Sequence, residues 1–155
     1  MNDVYIIDAC ALIDASKNYN MSKATFSAIW DKLNDMVESG YLFSSVEILD
    51  ELKDKDLKEW ATNNKKAFIP LTEEIQGNVR TILRDYPTMI KIKSTANSNG
   101  DPFLIATAMT FENSIIVTNE RPGDESTKDY RIPNICKKLD IPCITLKQFL
   151  DIILD

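Results

Sequence analysis

Four acidic residues, Asp8, Glu51, Asp101 and Glu120, lie far apart in the chain, each beside an apolar run that could carry it to a common place. Carboxylates gathered around one crevice raise one another's pKa and cannot all stay ionised without positive charge close by. No lysine or arginine adjoins Asp8 or Asp101, so a divalent cation is the natural counter-ion. The chain has no histidine, and its cysteines, Cys10, Cys136 and Cys143, are too few for a tetrathiolate zinc site. A donor set of oxygen alone favours Mg²⁺ or Mn²⁺ over Zn²⁺. Such ions can activate water and stabilise a leaving oxygen in phosphodiester hydrolysis with no imidazole base. The same lack of histidine excludes Ser-His-Asp triads, Cys-His pairs and HExxH zinc sites.

Each acid also has an ordinary structural use. Asp8 sits between VYII and ACALIDAS, where it would cap a short helix. Asp101 opens DPFLIATAM with Pro102 at the first helical position, which is how helices begin. The following FLIATAM is apolar nearly all round, so this helix is expected to be buried against a sheet with Asp101 near the strand ends. In VEILDELKDKD the acids Glu47, Asp50 and Glu51 compete. On a helix, Glu51 lies roughly 110° from the apolar direction set by Ile48, Leu49 and Leu52, and the other two roughly 150° from it. Glu51 is therefore expected at the edge of the buried face, with a surface pair to Lys55 as its alternative. Glu120 follows SIIVT in TNERPGDE, where Pro122 and Gly123 mark a turn and Asp124 and Glu125 are rivals for its place.

The elements that must position these acids follow from the periodicity. Short apolar runs at 4–7, 41–44, 67–70, 114–117 and 141–145 read as buried strands. Phe26, Ile29, Trp30, Leu33, Met36 and Val37 make an amphipathic helical stripe, with Gly40 as a stop beyond it. Further helices are expected near 46–61, 73–86, 102–112, 133–139 and 146–153. This alternation predicts a three-layer α/β/α sandwich, a parallel sheet of the five strands with helices on both faces; if the strand order is 3-2-1-4-5, it reverses between the first and fourth strands. Ligands of such sheets gather beyond the carboxyl ends of the strands where the order reverses, here between the first and fourth strands. Asp8 follows the first strand; Thr118, Asn119 and Glu120 follow the fourth.

The 155 residues carry 18 basic and 24 acidic side chains, a net charge of −6, and no linker or repeat divides them. One domain, 1–155, is expected, and a basic groove is not the main source of affinity for nucleic acid. An odd number of cysteines suits a reducing compartment, and all three read as small core residues. The start, MNDVYIIDAC, lacks a positive n-region, and no apolar run reaches the roughly 20 residues of a membrane span. The expected location is the cytoplasm.

Four segments together resemble the PIN-domain ribonucleases, whose members include VapC-type toxins: YIIDACALID, SSVEILDEL, NGDPFLIATA and IIVTNE occur in that family's order over nearly the whole chain. The tail RIPNICKKLDIPCITLKQFL further resembles a PIN-like branch of unknown function. The resemblance implies a Mg²⁺- or Mn²⁺-dependent endoribonuclease. It assigns Asp8, Glu51, Asp101 and Glu120 to the acidic quartet that binds metal and catalyses, and Thr118, with Asn119 beside it, to ordering the site. It brings three expectations about partners: an RNA substrate, an antitoxin protein if the chain is the toxin of such a pair, and a second copy in a homodimer. Two positions depart from the family pattern. Cys10 stands where Ser or Asn is usual, and Glu120 where Asp is usual.

The alternative is a PIN-like domain that has lost catalysis and binds RNA or a protein. A phosphoacceptor receiver domain would need an acidic pair after the first strand, and a haloacid-dehalogenase-like phosphatase Asp-x-Asp; Asp8-Ala9-Cys10 supplies neither. Lys53, Lys55, Lys58, Lys65 and Lys66, and Lys91 and Lys93, are the candidate phosphate contacts. Trp60 reads as core, and Asn97, Asn99 and Gly100 as a lip over the site.

Overall fold

The computed structural model describes residues 3–89 and 101–155, the side chain of Asp101 excepted. Five short strands, β1 (Val4–Ile7), β2 (Leu42–Ser45), β3 (Phe68–Ile69), β4 (Ser114–Val117) and β5 (Cys143–Ile144), form one sheet of order β3-β2-β1-β4-β5. Every pairing is parallel. β1 and β4 run in register from Val4 opposite Ser114 to Ile7 opposite Val117. Ile6, Ile7, Leu42, Ile116 and Val117 are fully buried, as central strands are when helices cover both faces of a parallel sheet.

The helices are α1 (Ala9–Asn18), α2 (Ser27–Glu38), α3 (Lys55–Asn63), α4 (Glu73–Asp85), α5 (Asp101–Ala108), α6 (Ile132–Leu139) and α7 (Leu146–Ile153). Right-handed crossovers put α1, α2 and α3 on one face as the chain steps from β1 out to β3, and α4, α5 and α6 on the other as it returns to β4 and β5. The result is the three-layer arrangement expected from the pattern. α7 closes the first face, where Phe149 meets Tyr5 at 4.9 Å between ring centroids. α5 is enclosed: Leu104, Ile105, Ala106, Thr107 and Ala108 have no exposure, and the helix lies across β1, β2 and β4 with α4 packed behind it. α2 ends where expected, and Gly40 beyond it adopts φ +81°, a conformation open to glycine and strained for a side chain.

The sequence pattern misplaces one helix. Residues 46–61 do not form one element; Val46–Glu51 is a 3₁₀ segment, and α3 begins afresh at Lys55. Two caps explain the break. Ser45 accepts the Glu47 N–H, and Asp54 accepts the Leu57 N–H at 2.9 Å, while Leu52 between them is extended and buried. Leu49, expected on the apolar face, is 38% exposed. In a 3₁₀ turn side chains three apart eclipse, so Glu51 follows buried Ile48 inward and is half-buried. Trp60 is core as expected, edge-on to Trp30 at 5.8 Å, with its indole N–H donated to Asn34 Oδ1.

Asp54 also accepts a hydrogen bond from Ser16 Oγ of α1 at 3.0 Å, so one carboxylate caps α3 and anchors the turn that carries Glu51. Asp54→Ala should lower the unfolding free energy by about 1–2 kcal/mol, the upper range for a helix cap, in urea titration. An unchanged urea midpoint would show that neither bond contributes.

Candidate functional site

β1 and β4 are neighbours in the sheet but lead in opposite directions, so their carboxyl ends open a crevice that no crossover fills. Asp8 leaves β1 there, with its N–H still bonded to Val117 O at 2.9 Å. It stands at the N-cap position of α1, yet its side chain makes no capping bond. Oδ2 instead accepts hydrogen bonds from Thr118 Oγ1 at 2.7 Å and Cys10 Sγ at 2.9 Å. No other side-chain donor reaches this carboxylate among the described residues. Asp8 is 3% exposed. Burial holds its carboxyl above the usual carboxylate range, against the opposing pull of Cys10, Thr118 and the nearby Ala9 and Cys10 N–H groups.

Thr118 is the joint of the site. Its hydroxyl donates to Asp8, accepts the Glu120 N–H at 3.0 Å, and lies 3.2 Å from Cys10 Sγ. One buried hydroxyl thus fixes the acid after β1 to the turn after β4. Glu120 leaves that turn and accepts the Ile132 N–H on Oε1 at 2.9 Å, at the start of α6. The turn itself is braced by Asn134, whose buried amide accepts the Gly123 N–H and donates to Gly123 O and Glu125. Gly123 lies so close to the Asp129 backbone that a Cβ would not fit.

Glu51 arrives from the 3₁₀ segment after β2. Its carboxyl is pushed up to about 8, first by burial and then by the negative charges of Asp8 and Glu120. Three acids from three separate strand ends therefore share one electrostatic field. No lysine or arginine is paired with Asp8 or Glu51 among the described residues. The donors these acids offer are all oxygens, the kind that a hard dication prefers. Among the described residues no three such side chains stand close enough to enclose one ion. Asp101 opens α5, and its side chain lies outside the described residues, as do Lys91, Lys93, Asn97, Asn99 and Gly100.

Other candidates are placed elsewhere. Asn119 spans two helices of one face, donating to Asp14 Oδ2 of α1 at 2.7 Å and accepting the Leu146 N–H of α7 at 2.9 Å, so its side chain braces the crevice from behind. Asp124 is exposed and accepts both the N–H and the hydroxyl of Ser126. Asp124 is thereby used in its own turn, whereas Glu120 is the acid of this loop that acts on Glu51. Cys136 is buried core, but Cys10 and Cys143 are only half-buried, and Cys10 is a hydrogen-bond donor to Asp8. The residues alone read Cys10 as a small core residue; the resemblance, which sets it where Ser or Asn is usual, was the available signal of a place in the site.

A family model described as "Domain of unknown function (DUF4411)" matches residues 5–152. The chain belongs to the DUF4411 family. No curated protein matches it. The DUF4411 match covers every strand and the acids Asp8, Glu51, Asp101 and Glu120, and its description names no activity. No helix among the described residues is long and apolar enough to cross a membrane.

The raised carboxyl of Glu51 has a consequence for stability. The folded chain holds a proton on Glu51 from its ordinary value of 4.5 up to about 8, a range in which the unfolded chain has released it. Stability from this group is therefore present at low pH and is lost as pH rises through that window. In metal-free buffer the urea midpoint should fall from pH 5 to 8, and Glu51→Gln should flatten the fall. A Glu51→Gln profile parallel to that of the parent chain would show that Glu51 is not the group responsible.

Proposed function

We propose that this DUF4411 protein is a Mg²⁺- or Mn²⁺-dependent endoribonuclease of the PIN-domain kind. The observation that carries this reading is the convergence on Glu51 of the charges of Asp8 and Glu120, three acids from three strand ends at the crevice of a parallel sheet. The four-segment resemblance adds Asp101 as the fourth acid. Asp8 and Asp101 would hold the principal ion, with Glu51 and Glu120 completing its surroundings and orienting the attacking water. A bound Mg²⁺ or Mn²⁺ supplies the positive charge that polarises the phosphodiester and acidifies water.

The chain's own residues prepare for this. Thr118 and Cys10 donate to Oδ2 of Asp8 and so fix this acid at the carboxyl end of β1. A thiol at Cys10 still donates to the acid, as the hydroxyl usual at that position in PIN domains could. Glu51, protonated near neutrality when no cation is present, would give up that proton as a cation binds beside it. The three cysteines, free of disulfides, agree with a cytoplasmic setting. Under this reading the substrate is RNA, and an antitoxin and a homodimeric partner remain part of the proposal.

A second reading has one observation in its favour: Glu120 already gives Oε1 to the Ile132 N–H at the start of α6, so this acid serves the scaffold as well as the crevice. A PIN-like domain that binds RNA or a protein without cutting would show no cleavage with either ion while retaining its partner.

Asp8→Asn and Asp101→Asn should each reduce Mg²⁺-dependent RNA cleavage to background. Asp8→Asn should unfold no earlier than the parent, because asparagine still accepts from Thr118 and Cys10 without a buried charge. Thr118→Val should lower cleavage by roughly 10- to 100-fold, the usual effect of losing a residue that orients a ligand. Retained cleavage in both Asp variants would reject the metal assignment, and purified protein inactive with Mg²⁺ and Mn²⁺ would reject the nuclease reading.

A further inference from the structure

A cavity of about 470 Å³ adjoins the acidic crevice and shares Glu51 with it; its other walls are Ile13, Ser16, Lys17, Asn20, Lys53 and Asp54. Ile13, Ser16 and Lys17 lie at i, i+3 and i+4, so one face of α1 forms one wall, and the turn between Glu51 and α3 forms the opposite wall. Lys17 and Lys53 are exposed, and neither is in an ion pair among the described residues. The acid facing them, Asp54, is already engaged by Ser16 Oγ and the Leu57 N–H. On a chain of net charge −6, Lys17 and Lys53 bring two positive charges to this wall, against the carboxylate of Asp54.

The volume lies within the usual range for small-ligand sites, room for one nucleotide and too little for a duplex. Ile13 offers an apolar surface to a base, Asn20 a donor and acceptor to its edge, and the two lysines a seat for phosphate. We infer that this cavity holds the nucleotide next to the scissile phosphate of a single-stranded RNA, with Lys17 and Lys53 gripping its backbone. The inference rests on the nuclease reading for the identity of the neighbouring site. It explains how an acidic protein could hold RNA: the strand would be gripped one nucleotide away from the carboxylates, where the positive charge is.

The test is binding of fluorescein-labelled single-stranded hexauridylate in EDTA, so that no hydrolysis competes, read by anisotropy over a salt series. Lys17→Gln and Lys53→Gln should each weaken binding roughly two- to fivefold, the range for exposed charge pairs. The double variant should make the slope of log affinity against log salt shallower by about 1.4, two contacts at about 0.7 each for a single strand. Lys32→Gln, an exposed lysine on α2, should change neither. No binding by the parent chain, or binding that Lys17→Gln and Lys53→Gln leave intact, would overturn the inference. If the parent cleaves RNA with Mg²⁺ and the two variants bind and cleave as it does, the subsite fails and the nuclease reading stands. If the variants lose binding but the parent never cleaves, the subsite stands and the nuclease reading fails.

Discussion

A carboxylate buried at the point where a parallel sheet reverses its strand order is the constraint on which the rest of this site depends. Removing a charge from water is expensive, and a structure keeps such a group only by giving it hydrogen bonds, a proton or a counter-ion. Asp8 receives hydrogen bonds on one oxygen, from Thr118 and Cys10, and those donors come from the two elements that border the crevice. The other oxygen receives no side-chain donor among the described residues. The hydrogen bonds of Asp8 fix its position at the crevice, but they do not bring a counter-ion to it.

The second-layer contacts make sense in this light. Thr118 ends its strand inside the crevice, and its hydroxyl is satisfied in both directions, by Asp8 and by the Glu120 N–H. Asn119, one residue on, points the other way and holds α1 and α7 together. Alternation along the strand end therefore separates a residue that orients an acid from one that braces the scaffold. The 3₁₀ turn after β2 performs a similar sorting, with Ile48 in the core and Glu51 above it at the crevice wall. A longer helix through 46–61 would have turned Glu51 towards the edge of the buried face and joined it to Lys55.

Much of this architecture was legible in the residues. β1 and β4 were read at their observed bounds, because unbroken runs such as VYII and SIIV have few alternatives in a buried parallel sheet. Alternation with helices gave a parallel sheet covered on both faces; the order of its strands was a supposition that the structure bears out, and the crevice between β1 and β4 followed from it. The break at 52–54 was not legible, since LDELKDKD keeps helical periodicity through a point where Asp54 starts a new helix. Hydrogen-bond competition by a cap overrides periodicity there, and only the partners across the chain, Ser16 above all, reveal which wins. For the same reason the residues alone did not distinguish Cys10 from core. Its role depends on Asp8 and Thr118 being brought within reach, which is a fact of tertiary structure. The cavity beside Glu51 was hidden too, because Lys17 and Lys53 come from segments whose proximity depends on that same break.

The placing of the acids beside the core also decides what kind of metal site this could be. The aliphatic and aromatic interior, from Trp30 and Trp60 on one face to Leu104 and Ile105 on the other, is complete without an ion. A structural zinc site supplies folding energy outright, and its domain is unfolded without metal. Here Asp8 is buried at the sheet end and Glu51 and Glu120 are half-buried beside it, kept in tolerable charge states by protonation of Glu51 and by hydrogen bonds to Asp8. A cation would then displace a proton instead of completing a fold. Under the nuclease reading its binding would be weaker at low pH and would release protons, whereas a structural ion is needed before the fold forms.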